Sequence, residues 1–69
     1  MTKSKEELKF EQLGITDGVV FEIKELTGYY MLDLKEKVVY ECSINGKKIM
    51  PVNGLYQSLL NGAWHKKRF

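Results

Sequence analysis

The chain reads as an α+β fold: a three- to four-stranded antiparallel meander, curled into a twisted sheet or a small barrel and covered by one or two short helices. Two observations predict it. Between Gly18 and Val52, short β-branched and aromatic runs alternate with turn signals, ending in the dipeptide Asn45-Gly46, which favours a tight hairpin. Outside that stretch, two segments carry helix start and stop signals: Ser4-Lys5-Glu6-Glu7 with Gly14, and Asn53-Gly54 with Gly62. Sixty-nine residues make one domain (1–69), close to the size below which an apolar core cannot offset chain entropy, so most apolar residues must serve the fold.

Ser4 and Glu7 have the spacing of a capping box. Gly14 supplies the left-handed residue after the last turn and Ile15 the apolar contact beyond it, which brackets a helix from about Lys5 to Leu13. The alternation of Leu8, Phe10 and Gln12 leaves a strand as the competing assignment. Thr16-Asp17-Gly18 then turns the chain into the sheet.

Register follows from asking which pairing keeps one face apolar, since a slip of one residue turns every side chain over. A two-residue type I′ loop at Asn45-Gly46 pairs Cys42 with Ile49 and Tyr40 with Pro51; a loop at Lys35-Glu36-Lys37 pairs Leu32 with Tyr40. A first turn at Leu26-Thr27 sets Phe21 beside Leu32. One face then holds Val19, Phe21, Ile23, Tyr30, Leu32, Leu34, Val38, Tyr40, Cys42, Ile44 and Ile49. The other is mixed, with an apolar strip of Val20, Tyr29, Met31, Val39 and Met50. Pro51 has no N–H to donate, which makes 47–52 an edge strand. Leu55, Tyr56, Leu59 and Leu60 form one narrow stripe of a second helix ended by Gly62, and Ala63 to Phe69 either trails off or adds a final strand.

The composition is that of a globular chain, 43% hydrophobic and 12% aromatic with one proline. No segment reads as a signal peptide, and none approaches the roughly 20 apolar residues of a membrane span. Cys42 is the only cysteine, which excludes a disulfide framework within the monomer and suits a reducing cytoplasm. Net charge is +2, but Lys66, Lys67 and Arg68 supply +3 of it, leaving −1 over residues 1–65.

Catalysis needs a nucleophile, a base and an orienting group, and the sequence offers one cysteine and one histidine. Cys42 falls on the expected core face, where a thiol is inert, and His65 has no second ligand at metal spacing. The carboxylates mostly alternate with lysines, the pattern of solvated surfaces. The residues therefore predict no enzyme, no cofactor and no metal site. Two features could carry binding. The strip Val20, Tyr29, Met31, Val39 and Met50 is a candidate protein-contact surface, or the seat of a helix. Lys47, Lys48, Trp64, Lys66, Lys67 and Arg68, with Phe69, are a candidate nucleic-acid surface in which an aromatic ring stacks and cations meet phosphates. The plainer assignments are a tryptophan that pins the C-terminus to the core and a solvated basic end.

The ending Leu59-Leu60-Asn61-Gly62-Ala63-Trp64, after strands opened by Thr16-Asp17-Gly18-Val19-Val20-Phe21-Glu22-Ile23, resembles small proteins encoded by phages and prophages of Gram-positive bacteria. The resemblance covers the C-terminal two-thirds. It implies an accessory, host-directed or regulatory protein of the cytoplasm and carries over no site. Together these readings predict a binding protein acting through a protein partner or self-association, with nucleic-acid binding as the alternative and no membrane contact.

Overall fold

A computed structural model describes residues 3–66. In chain order the elements are α1 (Lys5–Gln12), β1 (Val20–Phe21), β2 (Tyr29–Asp33), β3 (Val38–Cys42), β4 (Lys48–Val52) and α2 (Leu55–Leu60). The strands form one antiparallel sheet in the order β1-β2-β3-β4, with both helices packed on one face. The class is α+β as predicted. Of the predicted sheet forms, the open one is found: the sheet does not close into a barrel, and β1 and β4 are its edges.

Both helices end by the same device. Ser4 caps α1 by accepting the Glu7 N–H at Oγ, 3.1 Å away. At the other end Gly14 takes φ 81°, the Ile15 N–H reaches back to the Phe10 carbonyl at 2.8 Å and the Gly14 N–H to that of Glu11 at 2.9 Å. This is a Schellman closure, and it drops Ile15 beside Phe10 so that both are fully buried. In α2, Gly62 repeats it at φ 80°, with Ala63 bonded to Ser58 and Gly62 to Leu59. Phe10 and Tyr56 join the helices, ring centroids 5.1 Å apart and tilted by 53°, a contact of about 0.5–1.5 kcal/mol beyond burial.

The sheet departs from the predicted register at every turn, and each departure has a local cause. Between β1 and β2 the chain makes no two-residue hairpin. Residues 22–28 form a wide connection held by the Leu26 N–H on Ile23 O and by the Tyr30 hydroxyl on Thr27 O. Phe21 consequently pairs with Tyr30 and Val20 with Met31, a shift of two residues that preserves the faces. Phe21, Ile23, Tyr30 and Leu32 are buried as expected, whereas Val19, consumed in the Thr16 to Val19 turn, is exposed.

Between β2 and β3 the loop has four residues, Leu34 to Lys37, not the expected three. Asp33 Oδ1 accepts the Glu36 N–H at 3.0 Å, and Lys37 lies at φ 54°. One extra loop residue turns β3 over. Leu32 therefore faces Val39, not Tyr40. Val39, assigned above to the outer surface strip, is fully buried in a row with Leu32 and Val52, while Val38 and Tyr40 move to the outer face, half-buried.

Between β3 and β4 the Asn45-Gly46 turn is where the sequence puts it, but it is not type I′. Asn45 does not have a positive φ; Gly46 alone does, at 86°. Gly46 N–H bonds to Ser43 O, Ser43 N–H to Lys47 O, and Lys47 N–H to Ser43 Oγ. This is a three-residue loop closed by a left-handed glycine. It pairs Cys42 with Lys48, and a bulge at Ile49 then restores the expected Tyr40–Pro51 partnership. Ile44 and Ile49, both assigned to the core by the two-residue loop, are exposed as a result.

The C-terminal segment returns along β1: Ile23 bridges to Lys66, and the Lys24 N–H bonds to His65 O at 2.9 Å. The strand alternative for this segment is thus realised as one bridge among the described residues.

Two left-handed positions give opposite expected outcomes. Gly14→Ala should destabilise by about 1–2 kcal/mol, the strain of an L-residue in that conformation. Lys37→Gly relieves the same strain and, less its unfolded-state entropy, should stabilise by about 0.5–1 kcal/mol. Urea midpoints of the two variants check both signs.

The Tyr56 hydroxyl donates to Glu6 Oε1 at 2.9 Å, and burial together with that carboxylate pushes its pKa up to about 12. The folded state therefore holds this proton more tightly than the unfolded chain. The contribution is complete below pH ~10, the ordinary tyrosine value, and is lost as pH rises from there towards about 12. In Tyr56→Phe that segment of the stability against pH curve should flatten, as read by denaturant unfolding at stepped alkaline pH.

Candidate protein-contact surface

The outer face of the sheet carries Val20, Tyr29 and Met31 with Val38, Tyr40 and Cys42, because directly paired residues share a face. It is not an open strip. The 43–47 loop folds back across it so closely that a Cβ on Gly46 would sit 3.3 Å from Met31 Cε and 3.6 Å from Val20 Cγ2. Glycine is the residue that permits this approach. Val20 and Met31 are half-buried against the loop and Tyr29 is half-buried beside them, so a loop and not a helix lies on this part of the strip.

Cys42 is buried, yet it belongs to this outer layer, opposite Tyr29, and not to the cluster formed under the helices. Burial, and secondarily the nearby Glu41 charge, raises its thiol pKa, which keeps it protonated and unreactive near neutrality. Lys48 lies 4.5 Å over the Tyr40 ring and 3.1 Å from Asp33 Oδ2. The Asp33 carboxyl is held below its usual range, first by the Glu36 backbone N–H and then by the Lys48 ammonium. This corner of the sheet is a cation seated on an aromatic ring and tied to the turn that sets the register.

Of the five residues in the predicted strip, Met50 alone is exposed, at 52%, but it pairs with Glu41 and so belongs to the helix-side face of the sheet, not to the face of Val20, Tyr29 and Met31. Its exposed neighbours are two that sequence reasoning placed inside: Ile44 at 67% in the hairpin loop and Ile49 at 63% on the bulge. Three large apolar side chains are thus exposed along the β3–β4 hairpin. The available signal was Ser43, whose hydroxyl and backbone close a three-residue loop, and Pro51, which demotes β4 to an edge.

The basic candidates do not converge on one edge. Lys47 and Lys48 belong to the hairpin at the β4 edge, whereas Lys66 pairs beside β1 and lies over Gly14, Cδ 3.5 Å from that residue's would-be Cβ. Lys67, Arg68 and Phe69 lie outside the described residues. Trp64 is half-buried and packs against the core cluster, as the pinning assignment expects.

Among the described residues no group of three or more His, Cys, Asp or Glu side chains could hold a metal ion. No helix among the described residues is long and apolar enough to cross a membrane. A cleft of about 180 Å³ lies between Val20, Phe21, Glu22, Tyr29 and Lys66, and one of about 100 Å³ beside Phe10, Ile15 and Leu34. Both fall short of the roughly 300 Å³ at which a pocket encloses a small-molecule ligand.

Trp64→Ala measures how firmly the C-terminal segment is held. Full burial would cost about 3–5 kcal/mol, and a half-buried ring about half of that, near 2 kcal/mol. Thermal unfolding should show a clear fall in Tm; an unchanged Tm would mean that the packing contributes nothing.

Against this geometry stand the comparisons with known proteins: the chain matches no family model, no curated protein and no solved structure.

Proposed function

We propose that this chain is a small non-enzymatic binding protein of a reducing cytoplasm that contacts another protein through the apolar side chains of its β3–β4 hairpin. One observation carries the reading: Ile44, Ile49 and Met50 stand exposed together on one hairpin, in a chain whose size demands its apolar residues for the core. Scattered exposed aliphatics are ordinary on protein surfaces; three on one hairpin suit a recognition element. The partner meets side chains in preference to backbone, because Lys48, Pro51 and the bulge at Ile49 blunt β4 as a template for strand addition. The resemblance to phage-encoded proteins favours a host protein as that partner.

The test is affinity capture from a Gram-positive bacterial lysate using the wild type and an Ile44→Asp, Ile49→Asp double variant, each with and without nuclease. Both positions are exposed, so the double variant should keep its stability within about 0.5 kcal/mol per site. It should lose the partner, with affinity falling by roughly 30-fold or more if the hairpin supplies a hot spot. Equal recovery by both proteins overturns the hairpin as the contact, and nuclease-sensitive recovery overturns the protein partner in favour of nucleic acid. Sedimentation of the purified chain identifies a second copy as the partner.

A further inference from the structure

Three Asn-Gly dipeptides occur in the chain, at Asn45-Gly46, Asn53-Gly54 and Asn61-Gly62, and each glycine sits in a turn at positive φ, at 86°, 81° and 80°. Asn-Gly is the dipeptide most open to spontaneous rearrangement, because a following glycine has no side chain to screen its own amide nitrogen. The three sites differ in what holds that nitrogen. Gly46 N–H bonds to Ser43 O at 2.9 Å, and the residue is packed against Met31 and Val20. Gly62 N–H bonds to Leu59 O at 3.2 Å in the Schellman closure of α2, with open space around it. Gly54 N–H has no acceptor among the described residues, nothing lies within 4 Å of its would-be Cβ, and both Asn53 and Gly54 are exposed.

We propose that Asn53 is a modification site of this protein, converting spontaneously to aspartate and isoaspartate, and that the fold protects Asn45 and Asn61 from the same reaction. The Gly54 amide nitrogen gives up its proton and attacks Asn53 Cγ. The bond from Cγ to the carboxamide nitrogen breaks, that nitrogen leaves as ammonia, and a five-membered succinimide closes between the two residues. Water then adds to either imide carbonyl and opens the ring, to aspartate through one carbonyl and to isoaspartate through the other. Solvent water is the only co-reactant, and nothing is oxidised or reduced.

At Asn45 and Asn61 the attacking nitrogen must first abandon its hydrogen bond. At a typical net worth for such a bond, each of these sites should react about 2- to 10-fold more slowly than it would unprotected. Asn53 carries no such protection, and its product matters to the fold. The isoaspartate form inserts a methylene into the main chain between Val52 and Leu55, which both pack on the core cluster, and either form lowers the net charge by one.

The experiment incubates the full chain in mildly alkaline buffer, folded and in denaturant, and follows all three sites by peptide mapping with fragmentation that distinguishes isoaspartate. The ratio of unfolded to folded rate at each site removes the effect of the preceding residue. The ratio should be near one at Asn53, about 2- to 10-fold at Asn61, and largest at Asn45, where packing adds to the hydrogen bond. In Asn53→Gln the 53–54 product should vanish while the other two sites keep their rates. A ratio at Asn53 equal to or above those at Asn45 and Asn61, or no product at Asn53 in the folded chain, overturns the proposal.

Discussion

The Asp33 carboxylate decides which side of β3 faces the core. One of its oxygens accepts the Glu36 N–H inside the loop; the other meets the Lys48 ammonium from β4. A carboxylate that bonds to the backbone three residues on fixes a four-residue loop, and that length, together with the left-handed Lys37, brings Val39 rather than Tyr40 under the helices. Everything beyond depends on that parity. Leu32, Val39 and Val52 line up across three strands as the row on which α2 rests, while Tyr40 turns outward to receive Lys48. The ion pair is exposed and adds little energy alone. Its effect is positional, because one carboxyl serves both the turn and the neighbouring strand.

With so short a chain the core must be closed from the helical side by few contacts. Phe10, Ile15, Leu55, Tyr56 and Leu59 supply that layer, and the two glycine closures aim it. Each fully buried side chain of this size contributes about 1.5–3 kcal/mol. The Schellman geometry at Gly14 therefore does more than satisfy carbonyls. It turns the chain so that Ile15, outside the helix, packs on Phe10 within it, and the chain leaves directly towards β1. Glu6 adds a polar seam: its Oε1 accepts from the Tyr56 hydroxyl and lies 3.8 Å from the Lys37 ammonium, which links α1 to α2 and to the β2–β3 turn.

The helices were legible in the sequence because their signals are local: Ser4, Gly14 and Gly62 each act within one turn of themselves, and the structure places them where the spacing predicts. The sheet was legible in kind but not in register. Loop length decides register, and here it is decided by side chains that propensity does not count: Asp33 bonding forward to Glu36, and Ser43 bonding forward to Lys47. Asn45-Gly46 announced a hairpin correctly and its type wrongly, since the same dipeptide serves a three-residue loop with only glycine left-handed. The first connection failed for a different reason. Leu26-Thr27 is poor two-residue turn chemistry, and the chain widened the loop, shifting by an even number and so keeping Phe21 and Ile23 inside. Of the candidate contact residues, Met50 is exposed but on the other face from the one expected, Val39 was misplaced by the turned strand, and Ile44 and Ile49 were assigned to the core by the assumed two-residue loop.

The same hairpin chemistry explains why apolar surface is exposed where it is. A two-residue loop would have kept Ile44 and Ile49 in the ladder beside Cys42, on the outer face now that β3 is turned over. The three-residue loop sends Ile44 to the tip, and the bulge that restores pairing expels Ile49 from the ladder. Mere relief of a register mismatch would not require either side chain to be large and apolar; a polar residue at the tip or on the bulge would fold equally well and dissolve better. Meanwhile the backbone of β4 is guarded by a lysine, a proline and the bulge itself, the devices that discourage strand pairing. On the proposed reading, a hairpin that resists backbone pairing while presenting isoleucines and a methionine would select for partners that recognise side-chain shape. The lysine, the proline and the bulge are also what distinguish β4 from an aggregation-prone edge.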